Sequence, residues 1–184
     1  MVQHFKDMLV HIVGLFLFVH FVMVDCGQST CSSCGYKASS STTEITILTG
    51  SGLSCSVQNA SIQMTNSSVI VGNLMPGYTY PLEINCSTTC CSSFSTYPAT
   101  VDNITVLDQN SSSVWVTWLA PLGHVDSYEL NIYSVALNRI FTELSNQSQI
   151  QQLLPGYIYN LTITSVSGGL RNTSSVFQLA TSES

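Results

Sequence analysis

Charged side chains are scarce in this chain and make up 8% of its 184 residues. Only four of them are basic, and the formal net charge at pH 7 is −6. A protein that binds nucleic acid neutralises phosphates with a clustered patch of Lys and Arg. Four scattered basic residues cannot build such a patch, so no nucleic-acid partner is expected.

The sequence also lacks the patterns that carry common enzyme chemistry. It has no Gly-x-Ser-x-Gly nucleophile elbow, no glycine-rich phosphate loop and no Cys-x5-Arg loop. Beyond residue 20, His124 is the one histidine, and no nucleophile lies beside it in a known motif. We therefore interpret His124 as a solvated loop residue and expect neither catalysis nor a cofactor.

A long apolar run occurs once, at Met8–Val24, with Lys6 before it and polar residues after it. Its length suits the apolar region of a secretory signal better than a membrane span, which needs about 20 residues. We predict a signal peptide at residues 1–27, with an uncleaved signal anchor as the alternative. The rest of the chain is then secreted, or lies on the extracellular side of the plasma membrane. Membrane attachment would require that anchor or a missing C-terminal region.

Cysteines are absent after residue 91, although seven occur up to and including that position. Once Cys26 leaves with the signal, six remain, an even number in an oxidising compartment. These are the disulfide candidates Cys31, Cys34, Cys55, Cys86, Cys90 and Cys91. Six cysteines allow 15 pairings, and the sequence does not choose among them. Neighbouring Cys90 and Cys91 are expected to bond to different partners, because a vicinal disulfide is strained.

The Cys31-x-x-Cys34 spacing also occurs in redox and zinc sites. A second zinc half could come only from Cys90 and Cys91, which lack the two-residue gap, and no histidine is nearby. Structural disulfides are favoured, and no metal site is expected.

The chain has few charged residues but many Asn-x-Ser/Thr acceptor motifs for N-linked glycans. Eight occur, at Asn59, Asn66, Asn85, Asn103, Asn110, Asn146, Asn160 and Asn172. Several attached glycans would supply the solubility that charged side chains supply elsewhere. The composition therefore favours an extracellular glycoprotein.

A seven-residue segment occurs twice. Leu74–Tyr80 (LMPGYTY) returns as Leu153–Tyr159 (LLPGYIY), 79 positions later. A repeat at this spacing indicates two copies of a domain-sized unit. Within each copy, a Pro-Gly corner followed by alternating apolar residues predicts a turn that enters a half-buried strand.

The second unit, residues 101–182, shows regular period-two alternation. Val114, Val116 and Trp118 share one face of a predicted strand, as do Ile104 and Val106 earlier in the chain. The same alternation places a further set of residues inward: Tyr128, Leu130, Ile132, Tyr159, Leu161 and Ile163. Seven short strands with turn signals about every ten residues predict an antiparallel β-sandwich. Gly168-Gly169 predicts a hairpin turn between the last two strands.

The order of these features resembles the fibronectin type III family. The resemblance rests on Trp118 followed by Pro121, on Tyr128 in the next strand, and on the segment Leu154–Tyr159. It implies that Trp118 packs between the two sheets, and that the hydroxyl of Tyr159 bonds to nearby backbone in a tyrosine corner.

The first unit, residues 28–97, is interpreted as a truncated copy stapled by disulfides. It keeps the Pro76-Gly77 corner with Tyr80 at the tyrosine-corner position, and a strand-like segment at Glu44–Leu48, but it has no tryptophan. A unit this small buries little apolar surface, so disulfides would offset the deficit. Cys55 and Cys86 are candidates for a bond that joins the two sheets.

These features predict an all-β chain of tandem antiparallel β-sandwiches that binds an extracellular or cell-surface protein or acts as a spacer. The second unit also resembles the ectodomain repeats of receptor-type protein tyrosine phosphatases, on Asn103–Val106, Val116–Trp118 and Val125–Tyr128 with dense glycan acceptors. The alternative function is therefore an N-terminal fragment or soluble form of such a receptor, whose catalytic domain is absent here. A soluble cytokine-receptor-like protein is a further alternative, weakened because Trp-Ser-x-Trp-Ser is missing.

Overall fold

A computed structural model of the protein describes residues 32–57 and 61–183. Every regular element within these two ranges is a β-strand, and the strands form two sandwiches in series. The predicted all-β tandem fold is therefore confirmed. The predicted signal peptide, Cys31 and Asn59 lie outside the described residues.

Eight short strands lie in the described part of the first module. They are β1 Ser32–Ser33, β2 Lys37–Ser40, β3 Ile45–Leu48, β4 Ser56–Val57, β5 Ser61–Met64, β6 Ser68–Gly72, β7 Thr79–Asn85 and β8 Thr89–Ser95. One sheet has the order β2-β3-β6-β5 and the other the order β1-β8-β7-β4. All pairs are antiparallel except β1 with β8, which is parallel and two residues long.

The core of the first module is small. Its buried members are Ile45, Ile47, Cys55, Val57, Val69, Val71, Leu82, Ile84 and Cys90. Alternation produces this set, because residues two apart on β3, β6 and β7 face the opposite sheet. Two of the nine are disulfide cysteines, so covalent links take the place of apolar side chains that a larger sandwich would bury.

The two disulfides whose cysteines both lie in the described residues join neighbouring strands of one sheet. Cys34, just after β1, bonds to Cys90 on β8, and Cys55, just before β4, bonds to Cys86, just after β7. The expectation that the second bond joins the two sheets is wrong. β4 and β7 pair side by side in the sheet, which brings Cys55 and Cys86 next to each other, with Cα atoms 4.1 Å apart.

Adjacent Cys90 and Cys91 do not bond to each other. Cys90 bonds to Cys34, and Cys91 is also disulfide-bonded. Two different disulfides therefore meet at β8.

The second module also contains eight strands. They are β9 Asp102–Gln109, β10 Ser113–Leu119, β11 Ser127–Tyr133, β12 Asn138–Glu143, β13 Gln147–Gln151, β14 Ile158–Ser167, β15 Leu170–Thr173 and β16 Phe177–Ala180. One sheet has the order β13-β10-β9, and the other β12-β11-β14-β15, with β16 also paired to β14. Between β15 and β16, at residues 174–176, the ladder is interrupted, and the backbone N–H of Ser174 donates to the Ile163 carbonyl.

Its core is larger and has no cysteine. The buried members are Val101, Val114, Val116, Trp118, Tyr128, Leu130, Ile132, Ile150, Leu153, Tyr159, Leu161, Ile163 and Leu179. Trp118 is 2% exposed, and its ring meets Tyr128 edge-on with centroids 5.2 Å apart. Gly168 and Gly169 both have positive φ, as a two-residue type I′ hairpin turn between β14 and β15 requires.

Reduction of the disulfides is predicted to unfold the first module alone. Each native disulfide in a small domain contributes about 2–5 kcal/mol, and the second module has none to lose. Both tryptophans lie in the second module, so tryptophan fluorescence reports that module while circular dichroism reports both. Reductant should lower the temperature of one dichroism transition and leave the fluorescence transition in place.

The double variant Cys55→Ala/Cys86→Ala serves as a non-reduced control that removes one of these links. A fluorescence transition that moves as far as the dichroism transition would show that the second module also depends on the disulfides.

Candidate interaction site at the junction of the two modules

The repeated Pro-Gly corner has the same local structure in both modules. The backbone N–H of Met75 donates to the Tyr80 hydroxyl at 2.8 Å, and that of Leu154 donates to the Tyr159 hydroxyl at 2.8 Å. Tyr159 is buried and Tyr80 is half-buried. In each copy, the tyrosine at the start of a central strand anchors the loop that precedes it, which is the geometry expected of a tyrosine corner.

A threonine closes each corner from the other side. The Thr96 hydroxyl donates to the Met75 carbonyl at 2.8 Å, and the Thr181 hydroxyl donates to the Leu154 carbonyl at 2.6 Å. Both threonines are buried. The main chain of each corner is therefore held from within its own module, and in the first module the carbonyls of Pro76 and Gly77 face outward.

In the first module, this outward surface meets the second module. The His124 N–H donates to the Pro76 carbonyl at 3.0 Å, and the Ser167 hydroxyl donates to the Gly77 carbonyl at 2.8 Å. Pro76 is buried as a result. The junction is thus built from main-chain groups of one module and from the Gly123–His124 loop and the end of β14 in the next.

Two glycines make this approach possible. A Cβ atom added to Gly77 would lie 2.0 Å from the His124 carbonyl oxygen, and one added to Gly123 would lie 2.2 Å from the Pro76 carbonyl oxygen. Both glycines also have positive φ, at 75° and 97°. Any side chain at either position would push the two modules apart.

An ionisable pair lies at the edge of the contact. One Asp126 oxygen is 2.9 Å from Nε2 of His124, and the other accepts the Gly168 N–H at 2.8 Å. These hydrogen bonds, first that of Gly168 and then that of His124, lower the pKa of Asp126 below its ordinary value of 3.8. The Tyr78 ring lies 5.6 Å from the His124 ring, between centroids. His124, interpreted from sequence as a solvated loop residue, is half-exposed and belongs to the junction.

The linker is tied to both modules. The Tyr97 N–H donates to the Ser41 carbonyl in the first module, and the buried Pro98 accepts a hydrogen bond from Nδ2 of Asn172 in the second, at 3.0 Å. No free length of chain separates the modules, so the linker reinforces the contact between the loops.

The junction also contains a small cleft lined by polar and aromatic groups. A shallow cleft of about 300 Å³ lies between Tyr78 and His124. The Ser167 hydroxyl on its wall donates to the Gly77 carbonyl.

Within residues 32–57 and 61–183, no three His, Cys, Asp or Glu side chains are grouped as metal ligands would be. In the same ranges, no helix is long and apolar enough to cross a membrane.

The glycan acceptors are distributed over both modules. Asn66, Asn103, Asn110 and Asn146 are exposed, while Asn85, Asn160 and Asn172 are half-buried. Asn160 points away from the core, between buried Tyr159 and Leu161. The Nδ2 groups of Asn146 and Asn172 donate to main-chain carbonyls. Because a glycan replaces one of the two Nδ2 hydrogens, one donor remains at each site.

Replacement of Gly77 by Ala is predicted to open the junction. Gly156 is a matched control, because its φ is 69° and an added Cβ there would come no closer than 3.7 Å to another group, the Cγ of Glu183. Both variants lose roughly 1–2 kcal/mol through the left-handed backbone, but only Gly77→Ala also displaces His124. Amide hydrogen exchange at His124 should accelerate in Gly77→Ala and stay unchanged in Gly156→Ala. Equal exchange in the two variants would mean that the junction tolerates a side chain.

Acidification is predicted to release the Asp126 link. A carboxyl group with a lowered pKa stabilises the folded form above its unfolded pKa, and this contribution disappears as pH falls through the lower folded pKa. The amide proton shift of Gly168, followed by NMR during acid titration, should change at a pH below 3.8. Asp126→Asn should abolish the step. A step at or above the ordinary aspartate pKa would show that the carboxylate is not held by these bonds.

Known proteins resemble this chain both in its second module and in its tandem fold. A sequence model of the fibronectin type III domain family matches residues 97–178. The human receptor-type tyrosine-protein phosphatase eta is 32% identical over 110 residues, which cover 54% of this chain and 8% of that protein. The chain thus spans a small fraction of the length of this relative.

A solved two-domain segment of chicken tenascin has the same tandem fold. It superposes with a TM-score of 0.58 and 19% identity, covering 79% of this chain and 97% of the tenascin segment. This coverage is more than either module alone could supply, so the likeness extends to both sandwiches. Residues 97–178 accordingly match the fibronectin type III domain family, and a second, disulfide-stapled sandwich of similar fold precedes them in this chain.

Proposed function

We propose that the chain is a non-catalytic, N-glycosylated extracellular segment that acts as a spacer and presents its surfaces to a protein partner. The observation that carries the proposal is the junction, where the Pro76 and Gly77 carbonyls accept hydrogen bonds from the second module. Contact between modules that leaves no room for a Cβ fixes one relative orientation. Two sandwiches held in this way set a constant distance and angle between whatever binds at either end.

An extracellular location is supported by the disulfides and the acceptor sites. Disulfides persist in oxidising compartments and are rare in the cytosol. The exposed sequon asparagines leave space for glycans, and half-buried Asn160 points outward. Attached glycans would then supply the solubility that the few charged side chains do not.

A protein-binding surface is supported by apolar side chains on the outer face of the β9-β10-β13 sheet. Leu107, Trp115 and Leu119 are all exposed there, and Trp115 is 42% accessible. Exposed aromatic and aliphatic groups on one face often mark contact with another protein. Tyr133, on the opposite sheet, is half-buried and therefore less accessible than Trp115.

Glycopeptide mapping of protein secreted from animal cells tests this proposal. We expect glycans at exposed sites such as Asn103, Asn110 and Asn146, and a mature N-terminus that follows residue 27. Thr105→Ala removes the acceptor motif of Asn103 and is the control for site assignment. Secreted protein without glycans, or protein retained in the cytosol, would contradict the proposal.

A second candidate function is the N-terminal part of a receptor-type tyrosine phosphatase ectodomain. The 32% identity to the human receptor-type phosphatase eta favours it. The phosphatase activity would then belong to a region outside this chain. An antibody against the second module should detect an endogenous protein much larger than 19.9 kDa. Detection of only a polypeptide no larger than 19.9 kDa after deglycosylation would contradict this candidate.

A further inference from the structure

The corner that docks in the first module has a structural duplicate at the far end of the second. Gly156 has the same left-handed backbone as Gly77, and the hydroxyls of Tyr159 and Thr181 hold this corner as Tyr80 and Thr96 hold the other. The two corners differ in their surroundings. Pro76 is buried by the next module, whereas Pro155 is exposed.

The residues around the second corner are apolar and accessible. Leu154 is 46% exposed, Tyr157 is 40% exposed and Ile158 is 66% exposed. An added Cβ at Gly156 would meet only the flexible end of Glu183. This end of the molecule therefore has the shape of a docking surface without an occupant among the described residues.

The chain leaves each module beside its corner. The Gly77 N–H donates to the Tyr97 carbonyl at 3.0 Å, and the Gly156 N–H donates to the Ser182 carbonyl at 3.1 Å. Ser182 thus occupies the place that Tyr97 holds in the first module, immediately before the linker. A module joined after Ser182 would lie next to the Pro155–Gly156 corner, as the second module lies next to Pro76–Gly77.

We propose that the Pro155–Gly156 corner is a docking surface for a further fibronectin type III module. The chemistry required of that module can be read from the existing junction. Its loop needs a glycine where Gly123 lies, a following N–H to donate to the Pro155 carbonyl, and a hydroxyl to donate to the Gly156 carbonyl, as Ser167 does for Gly77.

A second copy of this chain fits the corner less well. In such a copy, the Gly123–His124 loop is already occupied by its own Pro76–Gly77 corner. Its first module would have to present the unrelated loop at residues 49–55. Docking between separate chains would also lack the high effective concentration that a short linker provides.

The inference deepens the proposed spacer function, because a repeated junction would extend the same fixed geometry. It can fail while the spacer function stands, since the existing junction does not depend on the second corner.

The test joins an extra copy of the second module to the end of the chain, as the candidate docking partner. A chain of residues 1–182 followed directly by another copy of residues 98–184 carries a third module whose Gly123–His124 loop is unoccupied. With the third module isotopically labelled by segmental ligation, amide exchange is measured at its His124. A matched chain carries Ser167→Ala in the third module only, which removes the hydroxyl that would donate to the Gly156 carbonyl.

Docking predicts that the third-module His124 amide exchanges at least about tenfold more slowly than an exposed amide, and faster again with Ser167→Ala. Free exchange there, with continued protection at the original His124, would overturn the docking surface and leave the spacer function intact. Free exchange at both sites would contradict the spacer function as well. Self-association of the 184-residue chain in sedimentation, abolished by Leu154→Asp, would assign the corner to a second copy instead and overturn the proposal.

Discussion

The arrangement of this molecule depends on a tyrosine hydroxyl that accepts a hydrogen bond from the corner preceding its strand. Tyr80 holds the N–H of Met75, and Thr96 holds the carbonyl of the same residue. Because these groups are satisfied inside the module, the Pro76 and Gly77 carbonyls remain free to accept hydrogen bonds from outside. An element that stabilises one sandwich therefore also shapes the surface that meets the next one.

The junction depends on close main-chain approach more than on side-chain contact. Gly77 and Gly123 bring two loops so near that either Cβ would overlap a carbonyl oxygen. Such a contact buries few side chains and would be weak between separate molecules. Here, the taut linker at Tyr97 and Pro98 keeps the two surfaces together, so a small contact is sufficient to hold one orientation.

The sequence predicted the second sandwich well, because alternation at Val114, Val116 and Trp118 follows directly from the geometry of a strand with one buried face. The repeat at Leu74–Tyr80 predicted both corners. Residue spacing does not reveal that Cys55 and Cys86 lie in one sheet, because the side-by-side pairing of β4 with β7 leaves no trace in it. The contact of His124 is hidden from the sequence for a similar reason: its partner, Pro76, lies 48 positions earlier in the chain.

Residual dipolar couplings measured separately for residues 32–97 and 98–183 would decide most directly whether the junction fixes the two modules. A rigid pair shares one alignment tensor, so the couplings of both modules should fit the structure with the same magnitude and orientation. Two tensors of clearly different magnitude would show that the modules reorient independently, and that the contact between Pro76–Gly77 and Gly123–His124 does not hold them in solution.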